Sequence, residues 1–134
     1  MKEYFQDAAK GLLKPHLFDE EAQRDAKKLL SAQVTRVQVR RYFGEVRALQ
    51  ARFHSEKSRS GAEAFARIQP YLGLLKAKAH YGRRNNSKTN DMVTFSEFMN
   101  QCIDGVHDDK GFEAMVKYLE AVVAYFMPEA KEGR

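Results

Sequence analysis

Apolar residues recur along this chain at intervals of three and four, not two. Val39, Tyr42, Phe43, Val46, Leu49 and Phe53 fall within an arc of roughly 120° when each residue advances about 100°. Such an arc is one face of a helix and must be buried. The same spacing returns in Phe65, Ile68, Leu72, Leu75 and Ala79, then in Phe95, Phe98, Met99, Cys102 and Ile103, and finally in Phe112, Val116, Leu119, Val122, Val123 and Phe126. No stretch alternates apolar and polar residues long enough to argue for a strand. The pattern predicts an all-α protein, a compact bundle of about five helices.

Capping signals place the boundaries. Three hydroxyl residues are followed three positions later by Glu or Gln: Thr35 with Gln38, Ser60 with Glu63, and Thr94 with Glu97. In such a box each side chain satisfies a backbone amide that the first helical turn leaves unpaired. Val34 with Val39 and Val93 with Phe98 would add hydrophobic staples. Asp19, followed by Glu20 and Glu21, reads as an earlier N-cap, and Pro128 stops the last helix. Helices are expected near 19–30, 35–55, 61–84, 94–105 and 110–127. Pro70 lies inside the third pattern and should kink it.

At 134 residues the chain has the length of a single helical domain, 1–134, with residues 1–18 as an N-terminal extension of a frayed turn or two. No apolar run is long enough for a membrane span, and Met1 to Lys14 lacks a signal-peptide pattern. One cysteine, Cys102, can form neither an internal disulfide nor a multi-cysteine zinc site, and a reducing cytoplasm is the expected location.

Charge is distributed unevenly. From Arg36 to Lys88 thirteen Lys or Arg meet three acids, Glu45, Glu56 and Glu63, a surplus of ten positive charges, whereas the remainder holds ten basic against fifteen acidic residues. A cationic segment of this kind, on helices instead of a loose tail, suits a polyanion, with nucleic acid ahead of a membrane. The run Arg83 to Asp91 has no apolar member to anchor it, and residues 85–91 are expected to be a flexible basic loop.

Candidate chemistry is sparse. The four histidines never share a helical face, and no HExxH, GxGxxG, phosphate loop or nucleophile elbow occurs. His107, Asp108 and Asp109 read as a helix N-terminus and not as metal ligands, and Cys102 reads as a small core hydrophobe. No catalytic residue, metal site or cofactor is predicted. The arginines say more. Arg36, Arg40 and Arg47 follow the four-and-seven rule along one line of the second helix, and Lys76, His80 and Arg83 do so along the third. If those helices pack antiparallel, the two ridges are expected to line one groove, extended by Arg84 and Lys88. Arginine's planar fork fits phosphate oxygens, and Tyr81 offers a stacking surface beside it. Arg41 and Arg52 lie on another line and read as serving protein contacts or solubility. Tyr118 and Tyr125 suggest a second strip for a partner or the core edge.

The runs Thr35-Arg36-Val37-Gln38-Val39-Arg40-Arg41-Tyr42-Phe43, Leu74-Leu75-Lys76-Ala77-Lys78-Ala79-His80-Tyr81-Gly82-Arg83-Arg84 and Tyr118-Leu119-Glu120-Ala121-Val122-Val123-Ala124-Tyr125 together resemble the small subunit of the type III-A CRISPR Csm effector complex. The likeness covers roughly Leu30 to Phe126. It implies a small helical bundle without catalytic activity, stacked in several copies beside subunits that hold guide RNA. Its basic face would line the channel for single-stranded target RNA, in antiviral defence. The partners implied are target RNA, the guide-containing complex, other Csm subunits and copies of itself. By position, the resemblance assigns Arg40, Lys76 and Arg84 to RNA. Arg36, Arg47 and Lys88 join them by charge, and Arg83 by its place in the second run. A protein-only helical scaffold and a helical DNA-binding module are the competing readings.

Overall fold

The computed structural model describes residues 1–84 and 91–133, with Arg84 described through its backbone alone. Its helices are α1 Ala22–Ser31, α2 Arg36–Ser60, α3 Ala64–Tyr81, α4 Asp91–Asp104 and α5 Asp109–Phe126, and a π-helical turn, Leu17–Glu21, leads into α1. α2 packs on α3, α3 on α4, α1 on α5, and α5 returns to α2. Cross-helix partners give the directions. Tyr42 reaches the Lys78 carbonyl and Arg52 reaches Tyr71, so α2 and α3 run antiparallel. Lys76 with Asp104 and Arg83 with Ser96 set α3 against α4 in the same sense, and Arg47 with Glu120 and Lys57 with Asp109 do so for α2 and α5. One hydrophobic cluster extends from Tyr4 to Ala130 and contains the apolar arcs of α2 to α5.

Of the three expected capping boxes, that at Thr35 forms. The Gln38 amide nitrogen donates to Thr35 Oγ1 at 3.3 Å, and the Thr35 amide donates to Gln38 Oε1 at 2.9 Å. Ser60 does not cap. α2 continues to Ser60, whose hydroxyl donates back to the Glu56 carbonyl at 2.9 Å, and a 3-10 turn, Gly61–Glu63, leads into α3. Thr94 does not cap either, because α4 starts a turn earlier at Asp91. Met92, only 7% exposed, extends the apolar stripe upstream of Phe95 and draws that turn into the helix. The Asp91 carboxylate accepts from the Met92 amide at 2.8 Å and from Gln38 Nε2 at 3.0 Å. Of the loop expected at 85–91, Asp91 is therefore helical and the rest lies outside the described residues. Around Pro70, α3 is continuous from Ala64 to Tyr81.

The N-terminal residues depart most from expectation. They form no frayed helical turn but an antiparallel pair of short strands, β1 Phe5–Asp7 and β2 Leu12–Leu13, with Phe5 opposite Leu13. Tyr4 is buried, and its hydroxyl donates to the Cys102 carbonyl at 2.5 Å. The Lys2 amide donates to the Gln101 carbonyl at 2.8 Å. This close approach depends on Gly105, where a Cβ would stand 2.0 Å from the Lys2 carbonyl oxygen. Glu21 holds Lys2 at 2.6 Å and Lys14 at 3.0 Å. Phe5 and Leu13 pack against the core, and the bonds of Lys2 and Tyr4 reach about a hundred residues along the chain, to Gln101 and Cys102.

Tyr118 is likewise not on an outer strip. It is fully buried against α1, donates to the Asp25 carboxylate and lies 3.1 Å from the Glu21 carbonyl. Tyr125, at 36% exposed, stays at the surface. Among the described residues no helix is long and apolar enough to cross a membrane.

Candidate nucleic-acid interface

The two basic ridges do not line a common groove. Arg36, Arg40 and Arg47 lie on the flank of α2 that turns away from α3. Arg36 Nε donates to the Met127 carbonyl at 2.8 Å, Arg40 pairs with Glu132 at 3.4 Å, and Arg47 pairs with Glu120 of α5 at 3.2 Å. Lys76 and Arg83 lie on the opposite flank of α3. Lys76 pairs with Asp104 of α4 at 2.7 Å, and Arg83 Nε donates to Ser96 Oγ at 2.6 Å. The helical wheel gives each ridge its line correctly, but α5 and α4, not the partner helix, lie beside those lines. The Arg84 side chain and Lys88 lie outside the described residues.

Two of these cations are structural. Ser96 is completely buried, with its hydroxyl donating to the Val93 carbonyl at 3.0 Å, and Arg83 supplies the hydrogen bond that satisfies its oxygen. Arg36 is half-buried and satisfies a carbonyl just beyond the end of α5. Either loss would leave a polar group short of a partner.

A different arrangement emerges on the outer surface of α2. Gly44, Ala48, Ala51 and Ser55, spaced four, three and four, are all exposed and make a floor of small residues along the helix. At 100° per residue, Arg40 and Arg47 flank this floor on one side and Arg41 and Arg52 on the other. All four arginines are exposed. Around Gly44 nothing approaches within 4 Å of where a Cβ would be. One helix thus presents two arginine rails, about 10 Å and 16 Å long at 1.5 Å rise per residue.

The rails differ in how they are neutralised. Arg40–Glu132 and Arg47–Glu120 are solvent-exposed pairs, each worth only about 0.2–1 kcal/mol. Arg47 also lies over the Phe43 ring, 4.8 Å from its centroid. Arg52 makes no carboxylate pair among the described residues. It stacks on Tyr71 at 3.9 Å and donates to a Tyr71 hydroxyl at 2.9 Å. Arg41 has no ion-pair partner among the described residues. Glu45, four residues after Arg41 on the same helix, is held by Lys78 at 3.0 Å. Burial raises the Tyr42 hydroxyl pKa, with Arg41 pulling it down and Glu45 adding to the rise.

Arg41 and Arg52 lie off the basic ridge that periodicity picks out on α2. The signal that finds them is the small-residue line at 44, 48, 51 and 55, which marks the solvent face of an arginine-rich helix and makes its two edges a pair. Tyr81 is 62% exposed near the end of the α2–α3 seam.

Elsewhere the candidate chemistry has structural uses. Asp108 caps α5 by accepting from the Gly111 amide at 2.8 Å, and Asp109 pairs with Lys57 at 2.6 Å. Cys102 is buried, and burial pushes its thiol pKa up to about 12. No group of three or more His, Cys, Asp or Glu positioned to hold a metal occurs among the described residues.

A family model described as Csm2 Type III-A matches residues 13–131. No curated protein and no solved structure matches the chain.

Proposed function

The chain belongs to the Csm2 type III-A family, the small subunit of the Csm complex, and from that premise we propose that it binds single-stranded target RNA along the outer face of α2. The strand lies over Gly44, Ala48, Ala51 and Ser55. Arg40 and Arg47 take phosphates on one edge, and Arg41 and Arg52 on the other. The observation that carries this reading is Arg41: an exposed arginine with no ion-pair partner among the described residues, on the same edge of α2 as Arg52, which rests on a ring instead of a carboxylate. Phosphate can replace Glu120 and Glu132 at modest cost because both pairs are solvent-exposed.

Contacts to phosphate carry no sequence information, so base pairing with the guide selects the target. The subunit does no chemistry itself. Several copies stack along the complex, and the small contribution of each adds up through avidity in antiviral defence. Arg84 and Lys88 remain RNA-contact candidates on their charge alone, as cations of the basic segment. Lys76, on the α3–α4 edge and paired with Asp104, drops out of the RNA face, and Arg36 and Arg83 hold the fold.

A protein-only scaffold has one observation in its favour. Leu74 is 48% exposed and lies with Tyr81 along the α2–α3 seam, an apolar edge suited to another subunit. The helical DNA-binding module has none, since the arginines run along a 25-residue helix and not a short recognition helix.

Binding of labelled oligouridine across a salt series decides between these readings. The wild-type chain should bind with a salt-dependent affinity. Replacing Arg41 and Arg52 together with Ala should lower the log-log slope by about 1.4, since each lost phosphate contact contributes about 0.7. Salt-insensitive or absent binding by the wild type would leave the protein-only scaffold.

A further inference from the structure

The segment after α5 turns back onto the start of α2 and brings an acid to one of the rails. The amides of Arg36 and Val37, unpaired within the helix, donate to the carbonyls of Lys131 and Glu132 at 2.8 and 3.0 Å. Arg36 Nε holds the Met127 carbonyl at 2.8 Å, and Ala130 is 8% exposed against the core. These anchors deliver the Glu132 carboxylate to Arg40 at 3.4 Å. Gly133 completes the contact. Its φ is +77°, and a Cβ there would stand 2.3 Å from the Cβ of Thr35.

We propose that residues 127–133 are a built-in competitor for RNA, with the Glu132 carboxylate standing where a phosphate would sit on Arg40. The inference rests on the RNA reading above. The pair itself is weak, with the two side chains 62% and 54% exposed. What makes it effective is tethering: backbone bonds and Ala130 keep the carboxylate at a high effective concentration beside the guanidinium. A free acidic solute at the same site would be displaced readily, whereas this acid returns each time a phosphate leaves. The chain therefore gives up RNA affinity as an isolated subunit and recovers it where stacked neighbours supply further phosphate contacts.

Three full-length variants test this with labelled oligouridine at low salt, each checked for unchanged helicity by circular dichroism. Glu132→Gln removes the competing charge and leaves the anchors in place. Gly133→Ala forces the segment away from Thr35 and leaves the charge in place. Glu129→Gln removes the same charge from an exposed residue of the same segment that makes no ion pair among the described residues. The expected result is a gain of about two- to fivefold in affinity for Glu132→Gln, the size of one exposed ion pair, a gain also for Gly133→Ala, and a distinctly smaller one for Glu129→Gln. Equal gains from Glu132→Gln and Glu129→Gln, or no gain from Glu132→Gln while the wild type binds, overturn the competitor and leave the RNA reading standing. If the wild type does not bind oligouridine, the RNA reading itself fails and the competitor goes with it.

Discussion

The Tyr118 hydroxyl donates to the Asp25 carboxylate in the seam between α5 and α1, where Tyr118 has no exposed surface. The same hydroxyl is 3.1 Å from the Glu21 carbonyl, and the Lys2 ammonium sits 4.3 Å above the ring. This one side chain therefore joins α5, α1 and the N-terminal segment. Tyr118→Phe keeps the ring and removes the hydroxyl, so the packing survives while Asp25 loses its buried donor. A loss of about 1–3 kcal/mol is expected, the range for hydrogen bonds to charged groups. Urea unfolding of the two proteins measures it, and indistinguishable midpoints would mean that the bond contributes nothing.

The buried hydroxyls and thiol set the alkaline limit of stability. Burial, followed by bonds and charges nearby, raises Tyr4 and Tyr118 well above the ordinary tyrosine range, and burial pushes Cys102 up to about 12. In the unfolded chain these groups ionise near their ordinary values, so above that point the unfolded state binds fewer protons than the native one. Their contribution is complete below about pH 8.5 and declines as pH rises, by up to about 1.4 kcal/mol per pH unit for each group ionised only when unfolded. On the acid side, burial opposes ionisation of Glu21, but bonds from Lys2 and Lys14 outweigh it and hold its pKa below the usual value. That stability is present above the unfolded carboxylate pKa and is lost as pH falls through the folded one. Denaturant titrations from pH 3 to pH 11 should show both declines, and a flat profile above pH 9 would contradict the burial of all three groups.

Arginines of the two kinds should separate cleanly. Arg36→Ala and Arg83→Ala each strand a partner inside the fold, the Met127 carbonyl and the buried Ser96 hydroxyl, and should cost about 1–3 kcal/mol of stability. Arg41→Ala removes an exposed side chain with no ion-pair partner among the described residues, and its unfolding midpoint should stay within about 0.5 kcal/mol of wild type. Thermal melts of the three variants give the comparison. A large destabilisation by Arg41→Ala would mean that its side chain serves the fold.

Much of this fold was legible because its strongest signals are local. The arcs of α2 to α5 reach the core nearly residue for residue, and the Thr35 box and the Asp108 cap are bonds between groups three positions apart. Where expectation failed, a distant partner decided. Met92 finds cover in the bundle and pulls α4 past Thr94. Ser60 is the local exception: its hydroxyl bonds the Glu56 carbonyl four residues back, and it ends α2 without capping α3. Tyr4 and Cys102 are 98 positions apart, and no window around Tyr4 anticipates that bond. The cationic ridges failed for the same reason. Periodicity gives the line on which Arg47 or Lys76 projects, but only the packing reveals that Glu120 and Asp104 wait there.

Closure of the bundle from both directions has a consequence for the order of assembly. Tyr4 is synthesised well before Cys102 and cannot be seated until that residue has been made, and the amides of Arg36 and Val37 wait for carbonyls nearly a hundred residues downstream. A nascent chain paused after α3 would hold its longest helix with a ragged start and its first aromatic ring in water. The bundle therefore cannot close until the segment carrying Lys131 and Glu132 has been made, and any chaperone that shields the growing polypeptide would find its exposed target around Tyr4.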